Sequence, residues 1–204
     1  MLIRSTLMAA AVAASLIACG GAGRYDQLVS FGDSLSDVGS YRTPGIAAVG
    51  GGKYTVNGPG DQIWVERLAE ALDLPEPCAA LTGLNATGAL AAFAAPVTPQ
   101  PGCTAYGQGG SRVSHPIGPW NAALTASPDP TVALQGQLGQ LTVPVATQVA
   151  NHLGASGGRF DKDDLVVALA GGNDLFMLAG GIPARVAELM GQGLDQATAT
   201  QTAS

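Results

Sequence analysis

Two short apolar runs along the chain predict β-strands. The first, Gln27 to Phe31, follows a polar and glycine-containing stretch, and the second runs from Asp164 to Ala170. The second run shows no alternation of polar and apolar positions, a pattern typical of a strand that is covered on both faces. We therefore predict two strands, the second of them buried between helices.

Between these runs, apolar residues recur at three- and four-residue steps and predict two helices. In the first helix, Asp61–Leu74, the apolar positions are Ile63, Trp64, Leu68, Ala71 and Leu72, and the charged residues Glu66, Arg67 and Glu70 lie between them. Asp61 is its predicted N-cap, and Pro75 is expected to stop it. The second helix, Leu141–Leu153, has Pro144 in its first turn.

The alternation of strands and helices predicts an α/β fold with a mainly parallel sheet. With 204 residues, the chain is long enough for one such domain and too short for two. Residues 75–130 are rich in proline and glycine and predict a long loop region. The segment from Ile182 to Ser204 begins as a helix and loses its apolar face, so we expect its last dozen or so residues to be poorly held.

The amino-terminal segment has the pattern of an export signal. Arg4 precedes an apolar stretch, Leu7 to Ala18, that is too short to span a bilayer. It ends in Leu16-Ile17-Ala18-Cys19, which resembles a bacterial lipobox with Cys19 as the lipidated residue. This predicts a signal peptide at 1–19, a tether at 20–26, a domain at 27–204, and a lipid anchor in the outer membrane. The alternative is an ordinary secretory signal and a secreted or periplasmic protein.

Charge and cysteine content narrow the function classes further. The net charge of −6 and the lack of a lysine and arginine stripe argue against a nucleic-acid partner. Once Cys19 is assigned to the anchor, Cys78 and Cys103 remain as a pair, both in loop sequence. An oxidising compartment favours a disulfide between them, whereas the alternative is two free buried thiols. These two cysteines and two distant histidines lack metal-ligand spacing, so we predict no metal site.

Three short motifs carry the candidate chemistry. They are Gly32-Asp33-Ser34-Leu35 after the first strand, Gly109-Gly110-Ser111-Arg112 in the loop region, and Gly171-Gly172-Asn173-Asp174 after the second strand. Each motif alone is compatible with a turn or a helix cap. Together, and in this order, they resemble three sequence blocks of the GDSL, or SGNH, hydrolases, a family of serine esterases and lipases. The resemblance implies a flavodoxin-like, three-layer α/β/α fold, here in incomplete form.

The resemblance also implies roles for individual residues. Ser34 would be the nucleophile, and its own backbone N–H, at the start of a following helix, would be one oxyanion donor. Gly110 would supply a second backbone N–H and Asn173 a side-chain amide. Family members commonly carry asparagine where this chain has Ala105-Tyr106-Gly107, which leaves Gly109 as the alternative to Gly110. The implied substrate is a small-molecule or lipid ester, and no cofactor is implied.

The final block of the family, Asp-x-x-His, has no counterpart in this sequence. His115, in Ser114-His115-Pro116, is expected to be a loop histidine, and His152 a helix-terminal cation or a partly exposed surface residue. Asp37, Asp129 and Asp174 do not fit the missing position either. We therefore expect the chain to be the amino-terminal part of a longer hydrolase and inactive or severely impaired. The alternative is a lipid-anchored, non-catalytic module that binds acyl or carbohydrate ligands.

Overall fold

The computed structural model describes residues 25–119 and 122–203, and it is a mixed α/β structure. The predicted signal peptide, Cys19 and most of the tether lie outside the described residues. The strands are β1 (Gln27–Gly32), β2 (Leu81–Leu84), β3 (Ala95–Pro99) and β4 (Asp164–Leu169). The α-helices are α1 (Pro44–Ala48), α2 (Trp64–Ala71), α3 (Pro130–Leu138), α4 (Val145–Ala155), α5 (Gly172–Gly191) and α6 (Gln196–Ala203). Short 3₁₀ helices span Gly88–Phe93 and Ala122–Ala126.

The two predicted strands pair with each other. β1 and β4 run parallel, in a register that extends from Gln27 opposite Asp164 to Gly32 opposite Leu169. On the other side of β1, Ser30 donates its N–H to Thr104 O (3.0 Å) and accepts from Tyr106 N–H (2.8 Å). β1 therefore lies between β4 and an extended loop segment, so its backbone is hydrogen-bonded on both sides.

Both faces of β1 are buried. Because side chains alternate along a strand, Leu28 points to one face, where it packs with Val65 and Ala69 of α2. Val29 and Phe31 point to the other face and pack with Val145 of α4. Burial of an aromatic side chain such as Phe31 contributes about 2–3 kcal/mol relative to leaving it exposed. This packing fixes the carboxyl end of β1, where the first sequence motif begins.

The expectation that β4 is covered on both faces is wrong for the described residues. Val166 is 42% exposed and Leu169 is 41% exposed. α5 follows β4 directly but leaves much of its own apolar surface in solvent, including Leu175, Phe176 and Leu178. Within residues 25–119 and 122–203, β4 pairs with β1 alone, and this explains why an apolar run without alternation stays half-exposed.

The first predicted helix is present, but it begins later and is capped differently. α2 starts after Ile63 rather than after Asp61, because Glu66 Oε2 accepts the Ile63 N–H at 2.8 Å. Glu66 is buried by this contact and by an ion pair with Lys53 Nζ at 2.7 Å, so it does not belong to a solvated face. The helix ends at Ala71, ahead of Pro75, and Asp73 follows with a positive φ of 54°.

The second predicted helix is present as α4, but it begins at Val145 rather than at Leu141, and Pro144 is its N-cap instead of lying in its first turn. The expectation for the carboxyl-terminal segment is wrong in part. The helix predicted from Ile182 belongs to α5, and the residues after it form a further helix, α6. Ala199 of α6 is fully buried, because a small side chain lets this polar helix approach α5 closely.

The loop region contains a small antiparallel hairpin closed by a disulfide. β2 and β3 pair with a bulge between Thr82 and Leu84, and the predicted bond between Cys78 and Cys103 is formed, with the two Cα atoms 5.0 Å apart. A bond across 25 residues contributes about 3 kcal/mol in the chain-entropy account. In the described part of the chain, no helix has the length and apolar character needed to cross a membrane.

Candidate functional site

Ser34 lies in a tight turn directly beyond the carboxyl end of β1. The turn is closed by the Ser36 N–H, which donates to Asp33 O at 3.0 Å, and by the Leu35 N–H, which donates to Asp33 Oδ1 at 3.0 Å. Asp33 is buried and Ser34 is half-buried, while Thr55 Oγ1 donates to Ser34 O at 3.2 Å. Ser34 Oγ has no hydrogen-bond partner among the described residues.

The prediction that Ser34 begins a helix is wrong. The chain continues through turns, and the next helix, α1, starts at Pro44. The reason is Asp37, whose Oδ1 accepts the N–H groups of Gly39 (2.9 Å) and Ser40 (2.7 Å). A carboxylate that hydrogen-bonds nearby backbone in this way competes with helix formation. The Ser34 N–H therefore lies in a turn without the dipole of a helix.

Asp37 also joins the first motif to the second. Its Oδ2 accepts the Gly109 N–H at 3.3 Å, and the whole side chain is buried. Removal from water raises the pKa of Asp37 from 3.8 to about 6, although hydrogen bonds from Ser40, Gly39 and Gly109 oppose that rise. The structure thus holds a desolvated carboxyl group at the junction of two candidate motifs.

The glycines of the second motif region allow the two loops to touch. A Cβ at Gly107 would lie 2.6 Å from Ser36 O, and a Cβ at Gly109 would lie 2.0 Å from the ring of Tyr54. Real Cβ atoms do not approach other heavy atoms this closely. The close packing of this loop against Ser36 and against Tyr54 therefore depends on glycine at positions 107 and 109 respectively.

The third motif also binds the second. Asn173 is buried in the first turn of α5, and its Nδ2 donates to Ser111 O at 2.8 Å. One of its two amide hydrogens is thus committed to the loop, and the other is left for a further acceptor. The predicted origin of Asn173 at a strand end is corrected, because β4 ends at Leu169 and Gly171 is the N-cap of α5.

Asp174 strengthens the same connection. Its carboxylate accepts from Arg112 Nε at 3.0 Å and from the Val113 N–H at 2.9 Å. Desolvation favours the protonated form, but these two donors outweigh it and lower the pKa of Asp174. Gly172 lies beside the first motif as well, since a Cβ there would be 3.7 Å from Asp33 Oδ2. The three motifs, separated along the chain, therefore form one cluster.

We expect Arg112→Ala to lower the free energy of unfolding by about 0.5–1 kcal/mol, because its ion pair with Asp174 is only partly shielded from water. The Val113 N–H still binds Asp174 in this variant, so the loop remains in place. Urea unfolding at low and high salt measures the effect, which shrinks with added salt. Lys162→Ala removes a more exposed ion pair, with Asp163, and is the matched control. An equal loss in both variants contradicts the expectation.

Gln148 of α4 is a central residue of this cluster that the sequence pattern did not reveal. It is fully buried, and its side chain bonds both backbone groups of Gly32, with Oε1 accepting the N–H and Nε2 donating to the carbonyl, each at 2.9 Å. Nε2 also lies 3.0 Å from Ser111 Oγ. A polar residue on the apolar face of a predicted helix was the available signal.

Backbone donors are available where the resemblance implies an oxyanion site. Across residues 25–119 and 122–203, no acceptor is hydrogen-bonded to the backbone N–H of Ser34 or of Gly110. The N–H of Gly109, the alternative to Gly110, is already bonded to Asp37. Gly110 has a positive φ of 80°, a conformation that glycine adopts without strain. These contacts favour Gly110 over Gly109 as a free donor.

The histidines do not complete the cluster. His115 is an exposed loop residue, as expected, and its Nδ1 accepts the Ile117 N–H at 3.1 Å. The expectation of a partly exposed His152 is wrong, because this side chain is only 3% exposed and stacks on Phe160 with ring centroids 4.9 Å apart. Burial lowers the pKa of His152, although Asp164 acts in the opposite direction. In the described structure neither histidine is hydrogen-bonded to Ser34.

No group of three or more histidine, cysteine, aspartate or glutamate side chains that could hold a metal ion occurs in the described ranges. Comparison with models of known protein families yields no match to this chain, and a search of curated proteins yields none either.

Proposed function

We propose that this chain is a serine ester hydrolase of the GDSL/SGNH type, with Ser34 as its nucleophile. The observation that supports it is the convergence of the three motifs: Asp37 and Asn173 both bind the second motif, and Gly172 lies beside Asp33, the neighbour of Ser34. A half-buried serine without a competing hydrogen bond, placed beyond the carboxyl end of a parallel strand, occupies the edge where open α/β sheets place ligands. The complete fold in this proposal is a flavodoxin-like, three-layer sandwich.

The reaction follows from the groups present. Ser34 Oγ attacks the ester carbonyl carbon and loses its proton to a base, while the carbonyl oxygen becomes an oxyanion. The backbone N–H groups of Ser34 and Gly110 and the second amide hydrogen of Asn173 stabilise this charge in the proposal. The carbon–oxygen bond of the leaving alcohol then breaks, the alcohol takes up a proton, and an acyl group remains on Ser34. Water hydrolyses this acyl-enzyme and restores the serine.

No histidine is hydrogen-bonded to Ser34 as a general base among the described residues. His115 and His152 are both engaged elsewhere, so Ser34 is not activated by either in the described structure. Hydrolases that lose a triad member keep a rate of about 10³–10⁴ over water from oxyanion stabilisation and binding alone. We therefore expect slow turnover of activated esters by this chain.

We also propose that the protein is exported and lipid-anchored at Cys19, in the outer membrane. The Cys78–Cys103 disulfide supports an oxidising, exported environment. The anchor itself rests on the lipobox-like sequence. Mass spectrometry of the purified membrane fraction, with Cys19→Ser as the control, tests it.

Hydrolysis of p-nitrophenyl acetate by the purified chain tests the nucleophile. We expect slow hydrolysis, accumulation of an acetyl group on Ser34 detectable by mass spectrometry, and loss of both in Ser34→Ala. Ser114→Ala, an exposed loop serine, is the matched control and is expected to behave as the wild type.

Equal hydrolysis by wild type and Ser34→Ala in folded protein would refute the assignment of Ser34. Saturable binding of the ester without acetylation or turnover would instead favour the alternative, a non-catalytic binding module. Turnover that depends on both Ser34 and His115 would identify His115 as the base and show that the loop around it moves toward Ser34 during the reaction.

A further inference from the structure

A second concave site has no residue of the three motifs in its described lining, although it borders the motif cluster through Gln148. It is a cavity of about 610 Å³ between α4 and the disulfide-closed loop that ends at Tyr106. Its walls include Pro99, Pro101 and Cys103 on the loop side and Asn151 and Ala155 on the helix side. None of the residues assigned to ester hydrolysis, Ser34, Gly110 and Asn173, is among the described residues that line it. Its volume is typical of cavities that bind small molecules.

The residues that line this cavity favour a ligand without charge. Among the lining residues of the described chain there is no aspartate, glutamate, lysine or arginine. A charged ligand would lose hydration there without gaining an opposite charge, which is costly. The proline, valine and disulfide surfaces suit an apolar ring, and the amides of Gln100 and Asn151 suit a few polar groups. The occupant is therefore uncharged and amphipathic.

One buried polar atom in the wall has no partner. His152 lines the cavity, and its Nε2 is buried without a hydrogen-bond partner among the described residues. The ring is held by Phe160 on one face and by an edge contact with Tyr106 at 5.5 Å. A buried polar group without a partner destabilises the folded protein. A ligand hydroxyl that bonds this nitrogen would remove that destabilisation, and this gives the cavity a reason to select hydroxyl-bearing molecules.

We propose that the cavity between α4 and the disulfide loop binds a small, uncharged molecule with an apolar ring and a hydroxyl group, and that His152 is the residue that recognises the hydroxyl. The ring packs against the proline-lined loop, and the hydroxyl bonds His152 Nε2. This site is independent of Ser34 and of ester hydrolysis.

Benzyl alcohol is the probe, and the ¹⁵N chemical shifts of the His152 imidazole are the readout. We expect a saturable shift with benzyl alcohol and at least tenfold weaker effects with benzoate and benzylammonium, which share its ring but carry a charge. Ala155→Phe fills the mouth of the cavity from an exposed helix position and is expected to weaken binding at least tenfold. Ala150→Phe, exposed on the same helix but outside the cavity, is the matched control.

Ser34→Ala is expected to bind benzyl alcohol as the wild type does, so failure of the proposed hydrolase activity leaves this test intact. Thermal melting verifies that each variant is folded, and Ala155→Leu supplies the smaller substitution if phenylalanine disturbs α4. The proposal is overturned if His152 shows no saturable shift. It is also overturned if the folded Ala155 variants bind as well as wild type, or if benzoate binds as tightly as benzyl alcohol.

Discussion

Gln148→Leu is expected to lower the free energy of unfolding by about 3 kcal/mol, which corresponds to a melting temperature lower by roughly 10 °C in a chain of this size. Leucine fills a similar volume, but it leaves the buried Gly32 N–H without an acceptor and removes a donor from Ser111 Oγ. The glycine precedes Asp33 and Ser34, so the turn that carries the candidate nucleophile loosens as well. Urea unfolding followed by circular dichroism measures the change.

Two variants isolate the cause of this loss. Gln148→Glu keeps an oxygen for the Gly32 N–H but cannot donate to Gly32 O, so an intermediate loss is expected. Thr147→Leu adds the same leucine at the neighbouring, exposed position of α4 and is expected to change stability by less than about 0.5 kcal/mol. If Gln148→Leu proves as stable as Thr147→Leu, the hydrogen bonds of Gln148 do not stabilise the cluster.

Asp37→Asn is expected to change how stability depends on pH. The folded-state pKa of Asp37 is about 6, above its ordinary value of 3.8, because burial disfavours the charged form. The native state therefore holds the proton more tightly than the unfolded state. The stabilisation of the folded state by protonated Asp37 is fully present below about pH 4. It is lost as the pH rises through 6, a change of about 3 kcal/mol.

The measurement is the difference in unfolding free energy between wild type and Asp37→Asn, taken at pH 4 and pH 7. The other carboxyl groups titrate alike in both proteins, so their contributions to the unfolding free energy cancel in this difference. The variant is expected to gain about 2 kcal/mol relative to wild type over this interval, since the unfolded carboxyl is already partly ionised at pH 4. The variant is also less stable at every pH if its amide nitrogen takes the place of Oδ2, because that nitrogen cannot accept the Gly109 N–H. This loss does not depend on pH. A difference that is constant with pH would contradict a raised pKa at Asp37.

The strands and the main helices were predictable because they depend on local pattern. The apolar run from Asp164 to Leu169 and the periodic positions of α4 specify their elements without reference to the rest of the chain. α3 was missed, although Asp129 caps it and Pro130 occupies its first position. Its apolar residues show almost no helical periodicity, so no apolar helix face supported the N-cap signal of Asp129 and Pro130. The disulfide was predictable because assigning Cys19 to a lipid anchor leaves one pair of cysteines, and export favours their oxidation.

The cluster was predictable only in part. The motifs identified Ser34, Gly110 and Asn173, but not the contacts that bring their segments together. Gln148 and Asp37 act through tertiary hydrogen bonds across as many as 116 residues, and the local pattern around either residue does not specify the partner of such a bond. The burial of His152 depends on three aromatic side chains from other parts of the chain, Phe31, Tyr106 and Phe160. Such long-range packing was beyond a periodicity argument.

The pairing of β1 with β4 has a consequence for the order of folding. Gln27 Nε2 bonds Asp164 Oδ1 across 137 residues, and every parallel contact of the sheet closes a loop of this size. Closing so long a loop is entropically costly and slows folding. During synthesis, β1 leaves the ribosome long before its partner exists, and the turn with Ser34 cannot be fixed until residues 164–169 arrive. The segment made among the first becomes ordered among the last.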